Sequence, residues 1–398
     1  MPATQGIPSG GQNANPQALN NAIRNLILSS AIRRVQQIYS ATVVPANNPT
    51  LTVQLKNVGL VTRLIVEIVG TLTNGAGGTS TLTDTGVANM ISQVVVTDFQ
   101  NQTRIQTTGL HLALLASAKR RRPFSATADW NKATGNNLAQ QINVNPATWP
   151  VFTAPPTLAA NAVGTVRSVI EIPFAYTNKD LRGAMYAGVI NANAYCNLTL
   201  NQNVFAAALD YTNAVYQGQA GTFTSVTVTV YQEYLDQLPV NPQTRLPLTP
   251  DMDLSVIYGL YNTNLNSFTA NQDFPIQFAN FQSFFSEFVI YNNSGGAGGR
   301  AVGTDMNYLA LQSANSSNLW KVDPLEVARW NRESVQSDLP AGFYYINHRE
   351  RPIETQQYGN MELILNTITA GAQAYVNVYW EVMKNVNNVS SQGSLTAS

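Results

Sequence analysis

Two histidines, one cysteine, a few aspartates and one basic run are the residues here whose types could do chemistry. His111 sits among Leu110, Leu112, Leu114 and Leu115 on a predicted short helix, the setting of a packed imidazole rather than a ligand. His348 lies in the charged turn Asn347-His348-Arg349-Glu350-Arg351. Neither has a second His or Cys at metal-ligand spacing, so no metal site is read. Cys196 falls in a predicted strand, where a buried thiol is inert, and no local signature supplies it with a base. Asp84, Asp98 and Asp305 are not paired by the sequence for acid–base work. The glycine-rich stretches Asn74–Gly78 and Ser294–Gly299 look like phosphate loops, but neither continues into Gly-Lys-Ser/Thr or opens a helix. Both read as hairpin loops between strands. Asn197-Leu198-Thr199 fits the N-glycosylation pattern without a secretory signal ahead of it. No catalytic residue, metal or cofactor is expected.

Lys119-Arg120-Arg121-Arg122 is the one dense basic run. It could take phosphate from lipid or nucleic acid. It also ends a predicted helix, where cations favour the dipole. A solvated or subunit-contacting cluster is the preferred reading.

The elements that carry these residues are mostly strands. Thr222–Val240 alternates: Val226, Val228 and Val230 point one way, Ser225, Thr227 and Thr229 the other. Pro239, Pro242, Pro247 and Pro250 then end the strand and begin a linker. The pattern V-x-V-Y-x-E occurs at Val228–Glu233 and again at Val376–Glu381. Two alike closing strands suggest two β domains in tandem. Further strands are read at 51–56, 60–69, 91–99, 163–174, 195–200, 342–347, 361–365 and 375–383, with a Phe-rich strand pair over 274–291. Leu64, Val66 and Ile68 should face a core while Arg63 and Glu67 face away. Short helices are expected over 110–119 and 178–186, and from Asp323 as cap with Pro324 in the first turn and Glu326 reaching back. A first helix is expected from Pro16 to about Tyr39, striped by Leu19, Ile23, Ile27, Ala31 and Val35. Arg24, Arg33 and Arg34 belong to this N-terminal arm, and no acid precedes Glu67.

The whole chain has 398 residues, zero net charge and only 11% charged residues. Ordinary soluble domains carry about 25%. Such a surface repels its own copies weakly, which suits a subunit packed against many copies of itself. One cysteine excludes an intrachain disulfide, and no stretch of about 20 apolar residues is present. Many strands, few helices and long connections point to sandwiches or jelly rolls.

Val230-Tyr231-Gln232-Glu233-Tyr234-Leu235-Asp236-Gln237-Leu238-Pro239-Val240 resembles the domain junction of the major capsid protein of tectiviruses. In order along the chain, Thr83-Asp84 with Asn89, Thr108-Gly109 with His111-Leu112, Ala214–Gly218, Gly303–Leu309, Gly342 with Tyr344-Tyr345, and Gln357–Asn360 match too. The resemblance implies an all-β fold of two tandem eight-stranded jelly rolls with short inserted helices and an N-terminal helix. It implies a homotrimer of pseudo-hexagonal outline, tiling an icosahedral shell around an internal membrane. Implied partners are neighbouring capsomers, vertex and minor capsid proteins and inner membrane lipid, with no specific nucleic acid. The implied place is the virion shell, with synthesis in the host cytoplasm. Residues 1–40 would form the arm, 41–242 the first roll, 243–384 the second and 385–398 a tail. Arg24, Arg33, Arg34, Leu19, Ile23 and Ile27 would touch membrane or a neighbouring capsomer. Lys119 to Arg122 remain candidates for phosphate or subunit contact. The competing reading is a virion carbohydrate- or receptor-binding sandwich, with Trp130 and Trp149 as loop aromatics.

Overall fold

The computed structural model describes residues 15–47, 49–83, 85–120, 151–188, 193–206, 214–266, 269–278, 283–292, 305–313, 316–335, 339, 342–359, 361–368 and 374–385. Trp130, Trp149, Asp84, Arg121, Arg122 and the stretch 294–299 lie outside these residues.

Helix α1 (Pro16–Ser30) comes first, followed by the long strands β1 (Ile32–Val43), β2 (Thr50–Gln54), β3 (Leu60–Asn74), β4 (Ile91–Thr97) and β5 (Thr103–Thr107). Then come α2 (Gly109–Arg120), β6 (Val163–Pro173), β7 (Tyr195–Leu200) and β8 (Gly221–Asp236). One sheet orders its long strands β1-β8-β3-β6 and the facing sheet β2-β7-β4-β5. First beside eighth and second beside seventh is the winding of a jelly roll. The second half holds β9 (Val256–Asn266), β10 (Asp273–Phe278), β11 (Ser283–Asn292), β12 (Met306–Ser313), β13 (Ser316–Val322), α3 (Pro324–Val335), β14 (Phe343–Asn347), β15 (Met361–Thr367) and β16 (Tyr375–Asn385). Its sheets run β9-β16-β11-β14 and β10-β15-β12-β13, the same winding. The rolls join edge to edge: β5 pairs in parallel with β9, Ile105 opposite Leu260 and Gln106 opposite Tyr261.

Alternation explains the cores. Val66, Ile68, Ile170, Val228 and Val230 from one sheet meet Val94, Val96, Cys196 and Leu198 from the other. Arg63, Glu67 and Thr229 lie on the outer face, half-buried, as their alternation requires. The second core gathers Ile276, Leu309, Leu311, Leu363, Val376 and Val378. The first core continues across the junction into Tyr258, Leu260, Phe285, Tyr345 and Tyr379.

Some expectations fail. The first helix stops at Ser30, because Ala31 is extended (φ −71°, ψ 148°) and Ile32–Val43 becomes the antiparallel partner of β8. Arg33, Arg34 and Val35 are therefore strand residues, and the first roll begins at Ile32 rather than Ala41. The expected helix over 178–186 is a run of turns and a short strand, Met185–Tyr186. Gly183 sits there at φ 86°, and a Cβ would meet the Phe174 carbonyl at 2.6 Å. The Phe-rich strands β10 and β11 do not pair with each other: β10 pairs β15, and β11 pairs β16 and β14. Asp323 does accept from Glu326 N at 2.8 Å, but the Glu326 carboxylate takes Arg329.

Candidate functional site

Of the basic run, Lys119 is engaged within the fold. Helix α2 lays its last turn over the junction, and the Lys119 ammonium donates to Tyr258 Oη at 2.6 Å and to the Tyr176 carbonyl at 3.2 Å. It also pairs with Glu381 Oε1 at 3.1 Å and lies 4.4 Å from the Tyr258 ring centroid. Burial pulls the Lys119 pKa down to about 8 despite the nearby Glu381 carboxylate. Lys119 thus bridges the rolls, its ammonium held by Glu381, Tyr258 and the Tyr176 carbonyl. Only the backbone of Arg120 is described. Lys119 lines a pocket of about 300 Å³ with Arg63, Glu171, Leu115 and Tyr176. Its charged lining is already paired, Arg63 with Glu171 at 2.8 Å and Lys119 with Glu381.

Glu381 is the hub of this cluster. It accepts from Ser286 Oγ at 2.8 Å, Arg349 Nε at 2.9 Å and the Tyr258 hydroxyl, and Arg349 Nη2 lies 2.7 Å away. Burial by itself would raise its pKa. Arg349 and Lys119, with the two hydroxyls, outweigh that and hold it well below the usual carboxylate range.

The corresponding residue of the first roll, Glu233, has the same design. It pairs with Arg33 at 2.5 Å and Arg63 at 2.9 Å, and accepts from Thr62 Oγ1 at 3.1 Å. Burial opposes ionisation here too, and the two arginines outweigh it to lower the pKa. In both copies of V-x-V-Y-x-E the terminal glutamate is buried with apolar residues on both sides of it in the chain, and that is the readable signal. The cations it recruits are remote in sequence and were not readable.

The N-terminal arginines are also engaged. Arg24 Nε is 3.3 Å from Asp253 and its Nη1 3.7 Å from Asp180. Arg34 pairs with Asp236 at 2.8 Å. The premise of an arm without acids nearby is overturned: folding supplies the acids that the local sequence lacks. Of the apolar candidates, Ile27 is fully buried against Leu60 and Leu181, Ile23 is half-buried, and Leu19 is exposed. Ile27 is therefore a core residue and offers nothing to a partner.

His111 is buried, bonds Thr107 Oγ1 through Nδ1 at 2.6 Å and stacks on Tyr379 at 5.0 Å. Burial pushes its pKa to about 3, so it packs as a neutral ring. His348 meets the buried Glu287 carboxylate at 3.3 Å. Cys196 is buried, and burial pushes its thiol up to about 12. Among the described residues no group of three or more His, Cys, Asp or Glu side chains could hold a metal ion.

Comparison with known proteins matches residues 17–238 to the family described as P3 major capsid protein N-terminal, and residues 255–396 to P3 major capsid protein C-terminal. The chain is 32% identical over 394 residues to the major capsid protein P3 of Enterobacteria phage PRD1, covering 97% of this chain and 96% of that one. Among solved structures, the major capsid protein of Sulfolobus turreted icosahedral virus is similar in fold at a TM-score of 0.60 and 12% identity, over 92% of this chain and all (100%) of that one. The Faustovirus major capsid protein is similar at 0.52 and 7%, over 96% and 92%.

Proposed function

We propose that three copies of this chain, which belongs to the P3 major capsid protein family and is a structural capsid protein of a virion, form one pseudo-hexagonal capsomer. Such capsomers tile an icosahedral shell around an internal membrane and pack against one another, against vertex proteins and against minor capsid proteins. The chain serves as a tile rather than an enzyme, binds no nucleic acid specifically and is made in the host cytoplasm. The observation that carries this reading is the repeated winding: two eight-stranded rolls of one order, joined edge to edge and tied by Lys119 and Glu381. Three such pairs offer six similar sides for tiling. The division of labour follows the rolls, with residues up to about 242 forming one and residues 243–384 the other.

An obligate interface buries about 2,000 Å² or more, so the trimer should persist at micromolar concentration. Native mass spectrometry should find three times the 43.2 kDa chain mass. A lone monomer under native conditions would overturn the capsomer reading.

Within the shell, helix α1 braces neighbouring capsomers, and lipid contact is secondary. Arg24, Arg33 and Arg34 already hold acids, which supports bracing over attraction to an anionic bilayer. Leu19 is the exposed large apolar residue of this helix.

A further inference from the structure

Three glutamates are buried among the described residues, and their partners differ in kind. Glu233 is held by two arginines, and Glu381 by Arg349 and Lys119. An arginine stays charged across the whole working range of pH. Glu287 has no arginine. Its carboxylate, 0% exposed on β11, meets His348, whose Nε2 lies 3.4 Å from Oε1 and 3.3 Å from Oε2. An imidazole is the partner whose charge is lost near neutral pH.

Among the described residues no other charged group steadies Glu287. On the paired strands it stands opposite Ile346 of β14 and Trp380 of β16, neither of which titrates. Tyr345 is the neighbouring phenol, and burial pushes it up to about 12, so it stays neutral. From the facing sheet Trp320 stacks on the imidazole, while Lys321 lies over the Tyr308 ring. On α3, Arg329 is taken by Glu326 and Glu333, and Arg332 is exposed. In the turn itself Arg349 is taken by Glu381, and Glu350 and Arg351 are exposed.

The turn over 347–351 links this pair to the junction between the rolls. His348 reaches Glu287, and the next residue, Arg349, donates to Glu381 at 2.9 Å. The same division holds on β11, where Glu287 faces His348 and Ser286 donates to Glu381 at 2.8 Å. His348 N also donates to the Phe285 carbonyl at 2.7 Å, and its ring lies 6.0 Å from that of Phe284. Residue 348 thus docks the turn on the second roll, and residue 349 docks it on the junction.

Burial raises the Glu287 pKa above its ordinary 4.5, with His348 opposing. The fold therefore keeps a proton that the unfolded chain has already lost. The stability this adds is complete below 4.5 and is lost as pH rises through the folded value. The two groups titrate as a unit. With one proton between them they carry no net charge, whichever of them holds it. With none, a bare carboxylate is left in an apolar core.

We propose that Glu287 and His348 form a proton-operated latch. While they hold one proton the turn over 347–351 stays docked. Its loss frees the turn, withdraws Arg349 from Glu381 and loosens the junction between the rolls.

Hydrogen exchange of the purified full chain, read by mass spectrometry and corrected for the intrinsic rate, tests the latch. The peptide spanning 343–352 should open at least tenfold more at pH 9 than at pH 6, and peptides from β3 and β8 should not change. Glu287→Gln is a neutral stand-in for the protonated acid. It should keep the turn closed at both pH values and melt above the parent at pH 9, the reverse of what removing the Glu381 carboxylate does. Turn protection in the parent that does not respond to pH would overturn the latch, whether or not the variant folds. A Glu287→Gln protein that melts below the parent at pH 9, or whose turn opens as the parent's does, would overturn it too.

Discussion

A carboxylate with no water around it stays ionised only while fixed partners outweigh its lost hydration. Glu381 meets that condition through Arg349, Lys119, Tyr258 and Ser286. Glu381→Gln leaves two cations facing a neutral amide, and breaking a buried pair this way costs about 3–5 kcal/mol. Chemical denaturation at pH 7 should therefore find the variant less stable by that amount. The acid limb should change as well. Folding lowers the Glu381 pKa below its ordinary 4.5, so its contribution is present above that value and lost as pH falls through the acid range. The melting temperature of the parent should fall more steeply below pH 4.5 than that of Glu381→Gln, and parallel curves would contradict the assignment. Lys119 adds a second window of the same sign at high pH. Its pKa drops from 10.5 to about 8, so between those values the unfolded chain holds a proton the folded chain lacks. For this group stability rises with pH across that window, and Lys119→Met should remove the rise. The sequence displayed both glutamates through the V-x-V-Y-x-E echo but not their partners. Arg33 is 200 residues from Glu233, and Tyr258 is 123 from Glu381. Only tertiary pairing brings such groups together, so local spacing carries no trace of them.

At the scale of the element, side-chain alternation was the most legible feature, because a period of two leaves no choice about which face meets the core. Val228 and Val378 are fully buried, while Thr229 is half-buried beside Ser40. Val228→Asp or Val378→Asp buries an unpaired carboxylate, a loss of several kcal/mol. Thr229→Asp should cost less than about 1 kcal/mol. Urea midpoints of the three variants check this, and a Thr229→Asp loss exceeding that of Val228→Asp would displace the register by one residue. Helix ends were less legible. Leu19, Ile23, Ile27, Ala31 and Val35 keep one helical stripe past the residue where the helix ends. What ends it is β8, which offers Ile32–Val43 a ladder and gives Arg33 and Arg34 their acids. A partner some 200 residues away overrides the local period.

For the whole molecule, the N-terminal segment divides into a helix that docks and a strand that belongs to the first roll. Two truncations separate their roles. Removing residues 1–31 takes away α1 and the burial of Ile27 against Leu60, Leu181 and Leu235. Removing residues 1–40 also strips most of β1 from β8 and takes Arg33 from Glu233. The longer deletion should lower the melting temperature well beyond the shorter one, and equal melting temperatures would mean that β1 adds nothing. Lipid contact is then decided by charge. A basic side chain near an anionic bilayer contributes about 1 kcal/mol, so three free arginines would give about 3 kcal/mol per copy. Here Arg24, Arg33 and Arg34 are compensated by Asp253, Glu233 and Asp236, so the net attraction per copy is far smaller. Isolated capsomers should accordingly fail to float with anionic liposomes at low salt and at high salt alike. The triple Arg→Gln variant should lose thermal stability without any change in flotation, because it breaks ion pairs within the fold. Strong flotation of the parent that salt abolishes, lost in a variant of unchanged melting temperature, would reverse the ranking of bracing over lipid contact.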